Sequence, residues 1–308
     1  MQLVIGIFEE GLIYALVSFG AYITFKILDF PDMTVDGSFP FGMCITAVMI
    51  KNGIDPFITL PISFVMGLIA GMATGVIHVK FKIRDLLAGI IVMTSLYSLN
   101  LRIAGKPNLP IYKSPSIFKA MNFVIHDVIG ERLVGISESF IPFINFLSSI
   151  HRVILLIIIV ALLKIILDLY LKTKSGYLLK CVGDNEVLVT SLGKNKENVK
   201  ILGLALANGF AALAGSIFAQ HRGNFEISTG TGTLVIAVAN VIIGLQLMNV
   251  FRNMKPTTSV IFGSIIYRAC IGMAMFLGMP PSDLKIITSM LLLVVIILNT
   301  KKYKKLVR

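Results

Sequence analysis

Charged side chains are scarce in this sequence: Asp, Glu, Lys and Arg make up 14% of its 308 residues, against roughly 25% in a soluble domain. With 56% hydrophobic residues and a mean hydropathy of +0.87, water is not the chain's main solvent. Cysteine is rare as well. Cys44 and Cys270 fall in apolar runs and Cys181 in a basic loop, so no pair is placed for a disulfide. There is no CxxC and no Cys/His cluster, and His78, His126, His151 and His221 are scattered; neither a metal nor any other cofactor is expected. No nucleophile–base pairing is visible, which argues against an enzyme. The sequence also lacks a G-x-x-x-x-G-K-S/T loop, so the chain is not expected to hydrolyse ATP. Acids are fewer than bases, 16 against 28, for a formal net charge of +12. The bases lie in short loops between apolar runs, where they set membrane orientation rather than bind nucleic acid.

What the chain does have is apolar length. A helix needs about 20 apolar residues to cross a ~30 Å hydrocarbon layer. Runs of that kind are predicted at about 3–28, 36–50, 57–79, 86–103, 153–170, 201–219, 234–250, 258–278 and 285–300, about nine spans in all. The first begins at Leu3 without a basic n-region or a small-residue cleavage site, and reads as a mature helix. The fold class is thus all-α, a polytopic membrane helix bundle, read as one transmembrane domain over 1–308. The basic tail from Lys301 places the C-terminus in the cytoplasm, and alternation then places Arg252, Lys255, the loop 172–200, Lys80, Lys82 and Arg84 on the same side. By that count 104–152 is the long external segment. Its bases, from Lys106 to Arg152, are partly offset by Asp127, Glu131 and Glu138.

Three patterns suggest helices packed around something. Gly67, Gly71 and Gly75 recur every fourth residue on one face, which either admits another backbone closely or reflects simple tolerance of glycine in lipid. FPDMTVDGS, Phe30 to Ser38, interrupts the apolar run with Pro31, two carboxylates and Gly37; it is a solvated turn or a broken helix lining a polar cavity. STGTGT, Ser228 to Thr233, opens the seventh span with flexible backbone and hydroxyls, suited to capping or close packing.

Arg268 lies near the middle of the eighth span, where insertion costs at least ~2.5 kcal/mol. Asp36, Asp32, Glu9 and Glu10 are the acids available to compensate it. Lys164 and Asp168, four apart, pair locally or snorkel. Thr94, Ser95, Tyr97 and Asn100, with Asn208 and Asn240, are polar groups within spans, suited to interhelical hydrogen bonds or to a solute path. The path candidates are accordingly Asp36, Ser38, Tyr97, Asn100, Asn208, Asn240 and Arg268.

The stretch 175–193, SGYLLKCVGDNEVLVTSLG, is a structured island. Asp184 or Asn185 can cap a short helix, Glu186 suits its first turn and Gly193 can end it. Val187, Leu188 and Leu192 offer that helix an apolar face for a neighbour. The pattern G-Y-x-x-K-x-x-G-D-N at Gly176, Tyr177, Lys180, Gly183, Asp184 and Asn185 resembles the cytoplasmic coupling loop of bacterial ABC-importer permeases of the branched-chain amino acid and ribose type. The resemblance covers nearly the whole chain. GLIYALVSFG at 11–20, DFPDMTVDGSFPFG at 29–42 and TGTGTLVIAVANVIIG at 229–244 are similar to that family's first core helix, its following break and its seventh segment. TVDGSFPFG, GIIVMTSLYSLNLRIAGKPN at 89–108, IIYRACIG and PSDLK at 281–285 resemble a branch linked to aromatic amino acid uptake. Lys180 and Cys181 depart from the arginine and alanine usual in relatives, which loses a bidentate donor.

That resemblance implies a permease subunit of an ATP-driven importer in a bacterial plasma (inner) membrane, working as a homodimer or heterodimer with ABC ATPase subunits below and an extracytoplasmic solute-binding protein above. An amino acid, aromatic ones included, would be the solute; nucleosides and sugars are the alternatives within the family. The rival from another class is an ion-coupled secondary transporter with Asp36 and Arg268 on the ion path.

Overall fold

Three glycines (Gly203, Gly209, Gly215) and six alanines make the stretch Lys196–Arg222 thin for its length, so other backbones can come close to it from several sides. The rest of the molecule is arranged around this helix. In the computed structural model, described for residues 2–124, 141–191, 193, 195–248, 254–279 and a few isolated positions up to 293, helix α1 (Gln2–Ala21) continues into a π-helical turn, Tyr22–Ile27. α2 (Val35–Lys51), α3 (Pro56–Lys80), α4 (Asp85–Ala104) and the short α5 (Ile117–Phe123) follow. Then come α6 (Ile141–Tyr170), α7 (Lys174–Asp184), α8 (Glu186–Ser191) and the central α9 (Lys196–Arg222). α10 (Thr233–Leu247) and α11 (Pro256–Phe276) complete the described helices. Among the described residues, a small sheet pairs β1 (Asn108–Pro110) antiparallel with β2 (Asn224–Glu226).

Close contacts set the directions. α3 runs antiparallel to α9: Gly67 lies on the backbone at Asn208 and Gly209, Gly71 on Leu204 and Ala205, and Gly75 on Ile201. A Cβ at Gly71 would come within 2.7 Å of the Leu204 carbonyl carbon, so the glycine stripe is the means of approach. α2 runs parallel to α9, in step at Ser38 with Asn208, Gly42 with Ala212, and Thr46 with Ser216. α1 is antiparallel to both α9 and α11, through Gly20 on Ala207 and Gly11 on Ile265. α6 stands at the periphery, with Ile158, Leu162, Ile166 and Leu169 exposed as a lipid-facing surface.

Among the described residues, seven helical stretches are long and apolar enough to cross a membrane. The second predicted span is a helix of 17 residues, α2, whose start lies inside the bundle. The ninth predicted span, 285–300, and the basic tail from Lys301 lie outside the described residues except for isolated positions. Two boundaries differ from the sequence reading. α6 starts at Ile141 rather than 153, because Pro142 suits a first helical turn and the following residues contain no breaker; the stretch 104–152 therefore includes β1, α5 and the first residues of α6. α9 starts at Lys196, where the Asn195 side chain accepts the Glu197 N–H at 2.8 Å, and ends at Gly223 with φ 72°.

Candidate functional site

The interruption after α1 is a pinned elbow. Asp29 takes a left-handed φ of 52°, and the chain then passes Asp32, which is completely buried. One carboxylate oxygen of Asp32 accepts the Thr34 N–H at 2.9 Å and the other accepts Asn208 Nδ2 at 2.6 Å. Asn208 Nδ2 also donates to the Leu204 carbonyl at 3.0 Å, and its Oδ1 accepts from Ser38 Oγ at 2.7 Å. Thr34 and Thr74 share a hydroxyl hydrogen bond of 2.7 Å. Asn208 is twelve residues into a helix that rises about 1.5 Å per residue, so the elbow sits roughly 18 Å along α9, within the bundle. Non-helical backbone at that depth is tolerated where protein groups satisfy its polar atoms, as Asn208, Thr34 and Thr74 do here.

Asp36, one turn further on, does something the local sequence does not announce. Its Oδ2 accepts the Gly232 N–H at 2.9 Å and its Oδ1 accepts the Leu234 N–H at 2.7 Å. It therefore caps α10 from another helix, a carboxylate facing the positive end of a helix dipole. Gly230 lies against the Asp36 carbonyl and Pro40, with no room for a side chain. The STGTGT stretch forms a 3₁₀ turn, Ile227–Gly230, and α10 begins at Thr233 after Gly232 with φ 85°. Its hydroxyls do not cap α10; the distant carboxylate does.

Two cavities flank this junction. One, of about 310 Å³, is bordered by Asp36, Tyr97, Asn100, Thr94 and Thr231, with Met33 and Met93 among its apolar walls. The other, of about 380 Å³, is bordered by Tyr14, Arg222, Glu226, Thr231 and Arg268. The predicted path residues thus divide. Asp36, Tyr97 and Asn100 meet in the first cavity; Arg268 belongs to the second. Ser38 and Asn208 are tied into the buried network around Asp32, and Asn240 donates to Ser18 Oγ at 2.9 Å between α10 and α1.

Among the acids weighed as partners for Arg268, Glu10 is the one. Arg268 Nη1 lies 2.9 Å from Glu10 Oε2, Arg222 Nη2 lies 2.9 Å from Glu10 Oε1, and the Arg268 guanidinium stacks 4.0 Å over the Tyr14 ring. Asp36 takes no part in this pairing. Lys164 pairs with Asp168 at 2.9 Å as expected, and Asp168 also accepts from Thr257 at 2.6 Å, which joins α6 to the start of α11. Tyr14 and Arg222 complete the group and are not among the sequence-predicted site residues, whereas Glu10, in the Glu9-Glu10 pair within an apolar run, is among the acids named.

The island at 174–191 holds two helices where the sequence suggested one. Gly176 to Gly183 lie on α7, whose Thr173 cap accepts the Gly176 N–H at 3.2 Å. Asn185, not Asp184, begins the next helix: its Oδ1 accepts the Val187 N–H at 3.0 Å, while Asp184 closes α7. Gly183 rests on the Ile27 carbonyl, and Gly203 admits both Leu28 and Leu179, so α7 is seated on the π-helical turn that leads into the elbow. Tyr177 is exposed, and Lys180 Nζ lies 5.4 Å over its ring. On α8, Val187 is 75% exposed and Val189 fully buried, so Val187 is an outward-facing apolar residue. Leu188 lies on α8 with its side chain outside the described set, and Leu192 lies outside the described residues.

Comparison with known proteins now bears on this arrangement. Residues 3–298 match the family model described as branched-chain amino acid transport system / permease component. The chain is 42% identical to the tyrosine transport system permease protein of Clostridioides difficile (strain R20291), over 95% of this chain and 90% of the relative. It is 29% identical to an uncharacterized protein of Rickettsia prowazekii, over 96% of each, and 24% identical to the probable branched-chain amino acid transport permease protein LivH of Methanocaldococcus jannaschii, over 78% and 74%. No solved structure matches the chain. A multi-pass helical bundle with a polar elbow held inside it, matched over nearly its whole length by transport permeases, is a member of the branched-chain amino acid transport permease family.

Proposed function

We propose that this chain is the membrane-crossing subunit of an ATP-driven importer for a small amino acid, aromatic ones included, delivered by a solute-binding protein and powered by ATPase subunits on the cytoplasmic side. The observation that carries the reading is a continuous mechanical connection. α7 is seated on Ile27 and Leu28, that turn leads into the Asp32 elbow, and four residues later Asp36 holds the start of α10 beside a cavity. A push on α7 and α8 therefore has a short covalent and hydrogen-bonded route to the cavity wall, as a two-state transporter needs. In this reading α7 and α8, with Gly176, Tyr177, Lys180, Gly183, Asp184, Asn185, Leu188 and Leu192, form the ATPase contact, the C-terminus is cytoplasmic, and the end of the bundle carrying β1, β2 and α5 receives the binding protein.

Solute would pass between two permease copies, this chain twice or this chain and a relative. Thr94 and Tyr97, both exposed, leave the face of α4 beside the cavity open and polar. The ion-coupled alternative is disfavoured by the engagement of its two key residues, since Asp36 serves two backbone N–H groups and Arg268 serves Glu10. Reconstitution of the chain with its ATPase and binding protein tests the proposal. ATP inside the vesicle-facing compartment of the ATPase should drive uptake of L-tyrosine; uptake by the chain alone on a proton or sodium gradient would overturn it.

A further inference from the structure

Asn100 is the odd member among the buried asparagines of the membrane region. Asn208 uses both ends of its amide, and Asn240 uses its nitrogen. Asn100 is completely buried, and neither its Nδ2 nor its Oδ1 has a hydrogen-bond partner, although its backbone carbonyl accepts from Cys44 Sγ at 3.4 Å. An unpaired amide away from water is costly, and a leucine would fill the same space without that cost. Asn100 is among the residues that line the 310 Å³ cavity, as Asp36 is, with its amide sealed just behind the wall. Pockets for small ligands span about 300–1,000 Å³, so this one is at the lower limit and suits a single small solute.

The walls define the solute further. The Asp36 carboxylate takes backbone N–H groups from the Gly232–Leu234 turn, which still leaves lone pairs for a cationic group, and among the described residues no Lys, Arg or His borders the cavity. Met33 and Met93 offer polarisable apolar surface, which is favourable against an aromatic ring. A solute with one ammonium, one carboxylate and an apolar or aromatic side chain fits these groups, whereas a dicarboxylic acid would bring a second negative charge with no cation to meet it.

Building on the permease reading above, we infer that Asn100 is a specificity-determining contact of the transport path, its amide pairing with the carboxylate of a small zwitterionic amino acid whose ammonium faces Asp36. Seating the solute requires the cavity to open slightly at α4, since the amide is sealed in the arrangement described; the solute then supplies the partner that the protein does not.

The test is ATP-driven uptake of radiolabelled L-tyrosine by proteoliposomes holding the whole transporter, with Asn100→Leu, Asn100→Gln and the neighbouring Ser95→Ala, whose hydroxyl bonds its own helix at the Ile91 carbonyl. Assembly is checked by co-purification with the ATPase. Asn100→Leu should lower kcat/KM about tenfold or more, the scale of one lost hydrogen bond to a charged group, and Ser95→Ala should stay within about twofold. If Asn100→Leu does not assemble, Asn100→Gln, which displaces the amide by one methylene, should still lower kcat/KM at least about threefold. Uptake within about twofold of wild type in an assembled Asn100 variant, with or without a rise in Tm, would show an idle buried amide or a resident water only and would overturn this inference while leaving the permease reading intact. Wild-type vesicles that accumulate no L-tyrosine with ATP would instead remove the reading of an ATP-driven importer that carries aromatic amino acids, and this inference with it.

Discussion

Replacing Asp36 separates a structural carboxylate from an ion-carrying one. Its two oxygens hold the Gly232 and Leu234 N–H groups at 2.9 and 2.7 Å, at the start of a helix inside the bundle. Hydrogen bonds to charged groups contribute about 1.5–3 kcal/mol each, so Asp36→Ala removes a gross 3–6 kcal/mol. The cavity beside Asp36 can admit water to the freed N–H groups, which reduces the net loss to about 2–4 kcal/mol. At about 2–4 °C per kcal/mol for chains approaching this size, Tm in detergent should fall by roughly 5–15 °C. Asp36→Asn keeps one acceptor oxygen and should lose about half as much. Thermal unfolding followed by tryptophan-free methods, such as thiol labelling of buried Cys44, reads both variants. If Asp36→Asn and Asp36→Ala leave Tm at the wild-type value while both abolish transport, the capping role is refuted and a titrating path residue takes its place.

Other perturbations probe the remaining contacts. Gly71→Leu should push α3 off α9, because even its Cβ would meet backbone at Leu204 and Ala205; a cost of at least about 3 kcal/mol, or loss of the folded protein from the membrane, is expected on fluorescence size-exclusion chromatography. Gly183→Val should unseat α7 from the Ile27 carbonyl and cut ATP-driven uptake at least tenfold while membrane insertion persists, measured by uptake against expression. Val187→Asp, on the outward face of α8, should abolish capture of the ATPase in pull-down without a change in Tm. Glu10→Ala leaves Arg268 and Arg222 without their shared carboxylate and should lower stability more than Arg268→Met, which removes the partly buried charge itself, a comparison made by paired melts.

Most of the fold was legible because its signals are local. A membrane helix must carry its own apolar length, so seven of the nine predicted spans correspond to helices that satisfy the length and composition needed to cross, and an eighth corresponds to α2. The Gly67, Gly71 and Gly75 stripe offered a close approach as one of two readings, and the packing of α9 against it decides for that one. The motif at 176–185 marked the island, but residue pattern did not reveal that Gly176 to Gly183 form a helix of their own. Their glycines read as loop in isolation and are held helical by the neighbours that fit against them.

Partner choice was decided by tertiary structure. Glu10 with Arg268, Asp32 with Asn208, and Asp36 with the start of α10 join residues far apart along the chain, and Asp36 and Asp32 looked equally able to neutralise Arg268 until the helices were in place. The sequence by itself determined how many segments prefer lipid, where glycine permits contact and where polar groups interrupt the spans, since these follow from each segment's own solvation and sterics. Which polar group meets which, and so which residues border a cavity and which are sealed in the core, depends on helix order and rotation, and those are settled only when all the helices pack together.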